Sequence, residues 1–411
     1  MSFFQILAVL LTLSALFGYL NHRFLKLPEV IGTMLISMVF SLLLIVTEGI
    51  FPAMLAWGQG LLASLDFSEF LLHGILSFLL FAGALHVEIN DLKQQWRVIT
   101  GLATGGVLLS TGIIGYTSWL LFNTCGFEIS LMHCLLFGAL ISPTDPIAVL
   151  SLLKSAGAPK SLEVKITGES LFNDGVGVVV FLLILGLISS DHHSQGLGGA
   201  AMLFLREAVG GGLLGAGLGY VTYRLLRSID QYQIEVLLTL SLAAGGYVLA
   251  EAIHVSAPIA IVVAGLMIGN HGRRLAMSQR TCEHLDQFWE LIDSILNQVL
   301  FLLMGLELVA MNYTAALALP VLGLIPLALL ARLLSVATTV TFLKPFRNFS
   351  PHAIKILTWG GLRGGISLAM ALSVPPGPAR EIILMGTYAV VVFSVLVQGL
   401  TLKPLLQKYW R

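Results

Sequence analysis

Apolar residues along the chain gather into runs of about 20, parted by short polar stretches, and a helix needs about that many residues to cross the hydrocarbon core of a bilayer. Thirteen runs are legible, near 3–21, 28–47, 68–88, 98–122, 130–153, 166–188, 199–223, 234–252, 256–270, 289–311, 314–343, 351–374 and 381–402. The pattern predicts an all-α polytopic membrane protein with 13 transmembrane helices. No polar stretch is long enough for a soluble module, so residues 1–411 read as a single integral membrane domain. The longest one, about 271–287, is expected to form a helix lying along the membrane surface. The first run lacks both a preceding basic segment and a small-residue cleavage site, and is expected to stay in place as helix 1.

Composition agrees with that pattern. Of 411 residues 57% are hydrophobic and 11% charged, where a soluble domain carries about 25% charged residues. The 22 basic residues balance 22 acidic ones and there are 3 cysteines. A water-soluble enzyme, a disordered chain, a nucleic-acid partner and a disulfide scaffold are all excluded by these figures. Lys and Arg accumulate in cytoplasmic loops. Here 18 of the 22 fall in the odd-numbered loops and the C-terminal tail, whereas the even loops hold only Arg206 and Arg380. The expected orientation in the cell (inner) membrane therefore has the N-terminus outside and the C-terminus in the cytoplasm.

Three carboxylates, Asp145, Glu169 and Asp174, lie inside apolar runs, where an ionisable group costs several kcal/mol. Asp145 lies nine residues before Lys154, and Asp174 nine after Lys165. At 1.5 Å per residue both sit roughly 13 Å from the cytoplasmic boundary. Arg363 comes out at about 12 Å and Arg332 at about 18 Å, so four charges converge near mid-membrane. Span 5 carries Ser142-Pro143-Thr144-Asp145-Pro146, whose two prolines remove backbone donors and break the helix. Span 12 carries Gly360-Gly361-Leu362-Arg363-Gly364-Gly365, where glycine permits unwinding. The two interruptions are seven spans apart, and thirteen divides as six, one, six. That is the arithmetic of inverted six-helix repeats with broken helices 5 and 12 crossing near the midplane.

On span 6, Gly168-Glu169-Ser170-Leu171-Phe172-Asn173-Asp174-Gly175 sets Ser170 beside Asp174 and Glu169 beside Asn173 on one polar face. This cluster offers only oxygen and amide ligands, which suit a hard monovalent cation such as Na+ and not a thiolate- or imidazole-loving metal. A carboxylate in low dielectric can also hold a proton at cellular pH, so one site can take either ion in turn. Gly211, Gly215 and Gly219 on span 7 form a small-residue stripe suited to packing or to a dimer. Asp293 and Glu307 on span 10 read as end-of-helix or packing residues.

With these segments the chain resembles the sodium/proton antiporters of the NhaP and NHE type, in the cation:proton antiporter superfamily. The resemblance covers the whole chain, with support from Pro28-Glu29-Val30-Ile31-Gly32 and Phe78-Leu79-Leu80-Phe81. It implies that Asp174 binds the ion and the proton. Na+ would be held by Asp174, Asp145, Ser170 and the Thr144 carbonyl, with Glu169 completing or framing the site. Asn173, where an electrogenic branch has aspartate, implies electroneutral exchange of one cation for one proton. Arg332 would pair with Glu169 as a prop and Arg363 would neutralise the cluster. A homodimer is implied, with helices 4–6 and 11–13 as a moving core and helices 1–3 and 7–10 as scaffold. No cofactor is expected beyond the transported Na+ (or Li+ or K+) and H+. After Phe81 this chain has Ala82-Gly83-Ala84 where an acid is expected.

Rival readings are a sodium-coupled solute symporter on the same fold, which would need an open substrate cavity, and an intramembrane aspartyl protease. The latter carries Tyr-Asp and Gly-x-Gly-Asp, whereas these aspartates follow Thr144 and Asn173. His-Glu-x-x-His, the mark of a zinc protease, is absent.

Overall fold

The computed structural model describes residues 2–64, 67–146, 149–150, 153, 159–189, 197–311, 314–344, 349 and 352–409. Among them there is no strand. We number the helices α1 (Phe4–Leu25), α2 (Glu29–Val46), α3 (Pro52–Ala63), α4 (Phe70–Leu85), α5 (Ile89–Thr124), α6 (Leu131–Ile141) and α7 (Lys160–Ser189). They continue as α8 (Leu197–Leu226), α9 (Tyr232–Ala252), α10 (Ala257–Met267), α11 (Gln279–Val309) and α12 (Ala315–Leu343). The last are α13 (Ala353–Trp359), α14 (Gly365–Leu372) and α15 (Pro378–Lys408). Among the described residues, α1, α2, α5, α7, α9, α11, α12 and α15 are long and apolar enough to cross a membrane. The other apolar runs fall on α4, α6, α8, α10 and the pair α13 and α14. Lys154, one end of the depth estimate for Asp145, lies outside the described residues.

Two elements depart from the sequence pattern. The polar segment 271–287 does not lie along the surface as a separate helix, because α11 starts within it at Gln279 and runs unbroken into the apolar core. Ser278 caps it, its hydroxyl accepting from the Thr281 N–H at 3.3 Å. Thr281, Leu285 and Trp289 recur every fourth residue and are buried, so a single helical face carries the polar start of the helix into its apolar continuation. Helix α3 was not legible as a span. It is only 12 residues long, opens with Pro at its first turn, and buries Leu55, Gly58, Leu61 and Leu62.

The glycine stripe is spent inside the chain. A Cβ on Gly211 would lie 2.5 Å from the Ser256 carbonyl oxygen, one on Gly215 2.9 Å from Ala260 Cα, and one on Gly219 3.3 Å from Ala264 Cα. Helices α8 and α10 thus meet backbone to backbone, as close membrane packing of small residues allows. Cys125 is exposed, Cys134 buried and Cys282 partly buried, and none of the three forms a disulfide.

Candidate ion-binding site

Helix α6 stops at Ile141, two residues before Pro143, as the two prolines require. Its extended continuation crosses the stretch that separates α13 from α14, and the Asp145 N–H donates to the Leu362 carbonyl at 2.8 Å. Freed backbone groups in a membrane interior must find partners. Around the second interruption they find them on neighbouring helices. The Trp359 carbonyl accepts from Gln398 Nε2 at 3.0 Å, and the Arg363 N–H donates to Ser394 Oγ at 2.8 Å. Both partners sit in a wide π turn of α15, Phe393–Gln398. Arg332 on α12 donates through Nε and Nη2 to the Leu357 carbonyl at 3.3 and 3.1 Å. Arg363 Nη1 turns back to the Gly361 carbonyl at 3.2 Å.

Helix α7 lays its polar face against the first interruption. Asn173 Nδ2 donates to Thr144 Oγ1 at 2.8 Å, its Oδ1 accepts from the Thr144 N–H at 3.4 Å, and Ser170 Oγ lies 3.0 Å from Thr144 Oγ1. Glu169 forms an ion pair with Arg332, both buried. Asp174 is 6% exposed. What exposure it has faces a cavity of about 1860 Å³, whose wall also includes Pro143, Thr144, Asp145 and Ser170. A Cβ on Gly364, at the start of α14, would run into the Asp145 carboxylate. Asp145 therefore sits against a helix N-terminus, whose partial positive charge favours an anion.

Four of the expected ion ligands, Asp174, Asp145, Ser170 and Thr144, thus share one cavity wall. Glu169, Asn173, Arg332 and Arg363 do not line it. They stand behind the wall, where Glu169 is held by Arg332 and Asn173 by Thr144. The cavity wall extends to the end of the bundle where Lys26, His86 and Lys160 lie, the side of the first, third and fifth loops. Asp293 and Asn297 are two of the six polar residues of α11 that also line it. Sequence reading missed their place because it rests on the rotation of α11. The visible signal was their spacing of four, with Leu300 next on the same face.

The transmembrane model of the sodium/hydrogen exchanger family matches residues 11–408. The chain belongs to that family. Over 414 residues the exchanger is 48% identical to the Na(+)/H(+) antiporter NhaP of Pseudomonas aeruginosa, covering 99% of this chain and 97% of the relative. It is 35% identical over 389 residues to the Na(+)/H(+) antiporter NhaH of Halobacillus dabanensis, covering 94% and 93%. Its fold matches that of the sodium proton antiporter MjNhaP1 from Methanocaldococcus jannaschii with a TM-score of 0.75, over 98% of this chain and 97% of that one, at 20% identity. The exchanger is an integral membrane protein of a transporter family, not an enzyme, and beside the crossed interruptions its fold places two acids and two hydroxyl side chains, Asp145, Asp174, Ser170 and Thr144, on one cavity wall.

Proposed function

We propose that this exchanger carries Na+ against H+ by letting the two ions compete for the Asp174 carboxylate, one for one and without net charge. The observation that carries this reading is the oxygen set on one cavity wall: Asp174, Asp145, Ser170 and Thr144. Oxygen donors suit a hard alkali cation. With Na+ bound, the proton leaves Asp174 for the water of the cavity. When Na+ departs, a proton takes its place. Either load neutralises the carboxylate, so either loaded site can cross, while an empty charged site crossing the hydrocarbon would be costly. Asn173, an amide already engaged with Thr144, adds no third charge. Glu169 is committed to Arg332 and serves as a prop for the wall.

The same reading covers the moving parts. We assign α5–α7 and α12–α15 to a core that shifts against a scaffold of α1, α2, α4 and α8–α11. Support comes from the seam between them, where glycine meets aliphatic carbon. A Cβ on Gly175 would lie 2.8 Å from Ile259 Cγ1, and one on Gly399 2.9 Å from Ile31 Cδ1. By the distribution of Lys and Arg the cavity faces the cytoplasm, with the N-terminus outside and thirteen crossings in the inner membrane. The family resemblance extends the proposal to a homodimer.

The test is a dye-quench assay in everted vesicles with Na+, Li+ and K+, each run with and without an imposed membrane potential. Exchange rates indifferent to the potential support one-for-one exchange. A rate that follows the potential rules it out.

A further inference from the structure

We propose that Asp293 and Asn297 on α11, with Asp145 across the cavity, form a second binding station for a partly hydrated monovalent cation, on the path between the cavity mouth and Asp174. The inference rests on the reading that cations reach Asp174 through this cavity. Three observations carry it.

Asn297 is 2% exposed, lines the cavity, and neither its Oδ1 nor its Nδ2 has a hydrogen-bond partner. It lies one turn from Asp293, near enough for its amide to ease the charge of that carboxylate though outside strict hydrogen-bond geometry. A buried amide left without partners is costly, and one that faces a wet cavity is explained by something in that cavity. Asp293 lines the same cavity as Asp145. Two carboxylates and an amide oxygen around one wet space form a hard-cation ligand set, with their repulsion relieved by a positive ion between them. Lastly, eight of the residues lining the cavity are Asp or Glu and two are Lys. A cleft lined by one sign of charge concentrates the opposite ion.

Asp145 lines the cavity together with both Asp174 and Asp293, and the proposal places it in both stations. A cation held first by Asp293, Asn297 and Asp145 passes to Asp174 by exchanging partners around Asp145. Because α11 belongs to the proposed scaffold and Asp145 to the core, motion of the core takes Asp145 away from Asp293. The first station then exists only while the cavity faces the side on which it is now open.

Crystals of the full chain soaked in a thallium(I) salt test this, since the heavy ion marks cation positions by anomalous scattering. The expected result is a peak beside Asp293 and Asn297 in the wild type and in Asp174→Asn, lost in Asp293→Asn while the peak at Asp174 remains. No peak beside α11 in either the wild type or Asp174→Asn overturns the proposal. Thallium beside α11 but never at Asp174 would instead sink the competition mechanism and leave the station standing. In vesicles, Asp293→Asn should raise the KM for Na+ by roughly fivefold at low ionic strength with Vmax held within about twofold, and Asp293→Glu should restore it. A KM unchanged in both Asp293→Asn and Asn297→Ala, with protein that runs as a single species on size exclusion, counts against it.

Discussion

The Asp145 N–H donates to the carbonyl oxygen of Leu362 at 2.8 Å, and through that bond two broken helices share one backbone partner. The carboxylate of the same aspartate fills the space where a Cβ of Gly364 would lie. Gly364 has φ −121° and ψ −163°, extended backbone open to any residue, and the nearest atoms that a side chain there would meet are those of Asp145. Gly364→Ala should therefore push the Asp145 carboxylate aside without unfolding the protein. The expected outcome is a rise in the KM for Na+ of about tenfold or more, a cost of about 1.4 kcal/mol in binding, measured by Na+ titration of dye dequenching in vesicles. An unchanged KM would show that Asp145 does not hold the ion.

Asp174→Asn keeps the shape of the side chain and removes the charge that the proposed mechanism assigns to both ions. Exchange in everted vesicles should fall to background for every cation, while the protein still inserts and purifies as a single species. A variant that still moved protons on Na+ addition would refute the assignment of Asp174.

Competition has a signature in pH. Below the pH at which the site empties of protons, raising pH by one unit removes a competitor and should lower the KM for Na+ by about tenfold. At higher pH the KM should level off, and Vmax at saturating Na+ should change little across the series. Measuring initial rates over a grid of Na+ and pH separates this from a regulatory proton, which would change Vmax and leave KM flat.

Glu169 and Arg332 are a buried ion pair, and Arg332 also donates to the Leu357 carbonyl beside the second interruption. Removing one partner strands the other charge, at a cost of about 3–5 kcal/mol. Glu169→Gln and Arg332→Met should each lower the melting temperature in detergent by several degrees. The double variant should regain much of that loss, because no charge is then left alone. If the double variant is as unstable as the sum of the singles, the pair is not the reason for either effect.

Much of the fold was readable because its period is set by the lipid. Apolar runs of helical length marked every segment but α3, and Pro143, Pro146 and the glycines from 360 to 365 marked both interruptions. The acids at 145 and 174 stood out because charge inside an apolar run is costly. What the sequence withheld depends on rotation and partner. That Asp293 and Asn297 face the cavity follows from how α11 turns about its axis. Its continuous start at Gln279 hid inside a stretch polar enough to pass for a surface segment. The stripe from Gly211 to Gly219 announced close packing but not with which helix, and α10 answered it. Helix α3 was too short for a span and too apolar for an ordinary loop. The turn of the Glu169 carboxylate to Arg332 was expected from the family resemblance alone, because the position of α12 that decides it cannot be read from the residues.

Pro143 lies over Gly177, where any Cβ would strike its ring. That seat pins the broken strand of α6 to the middle of α7, one turn beyond the acid, so the chain bearing Asp145 and the helix bearing Asp174 have no slack between them. Under the proposed exchange at Asp174, a core that moves as one body carries this cage with its internal dimensions kept, and selectivity among cations is then the same from either side of the membrane.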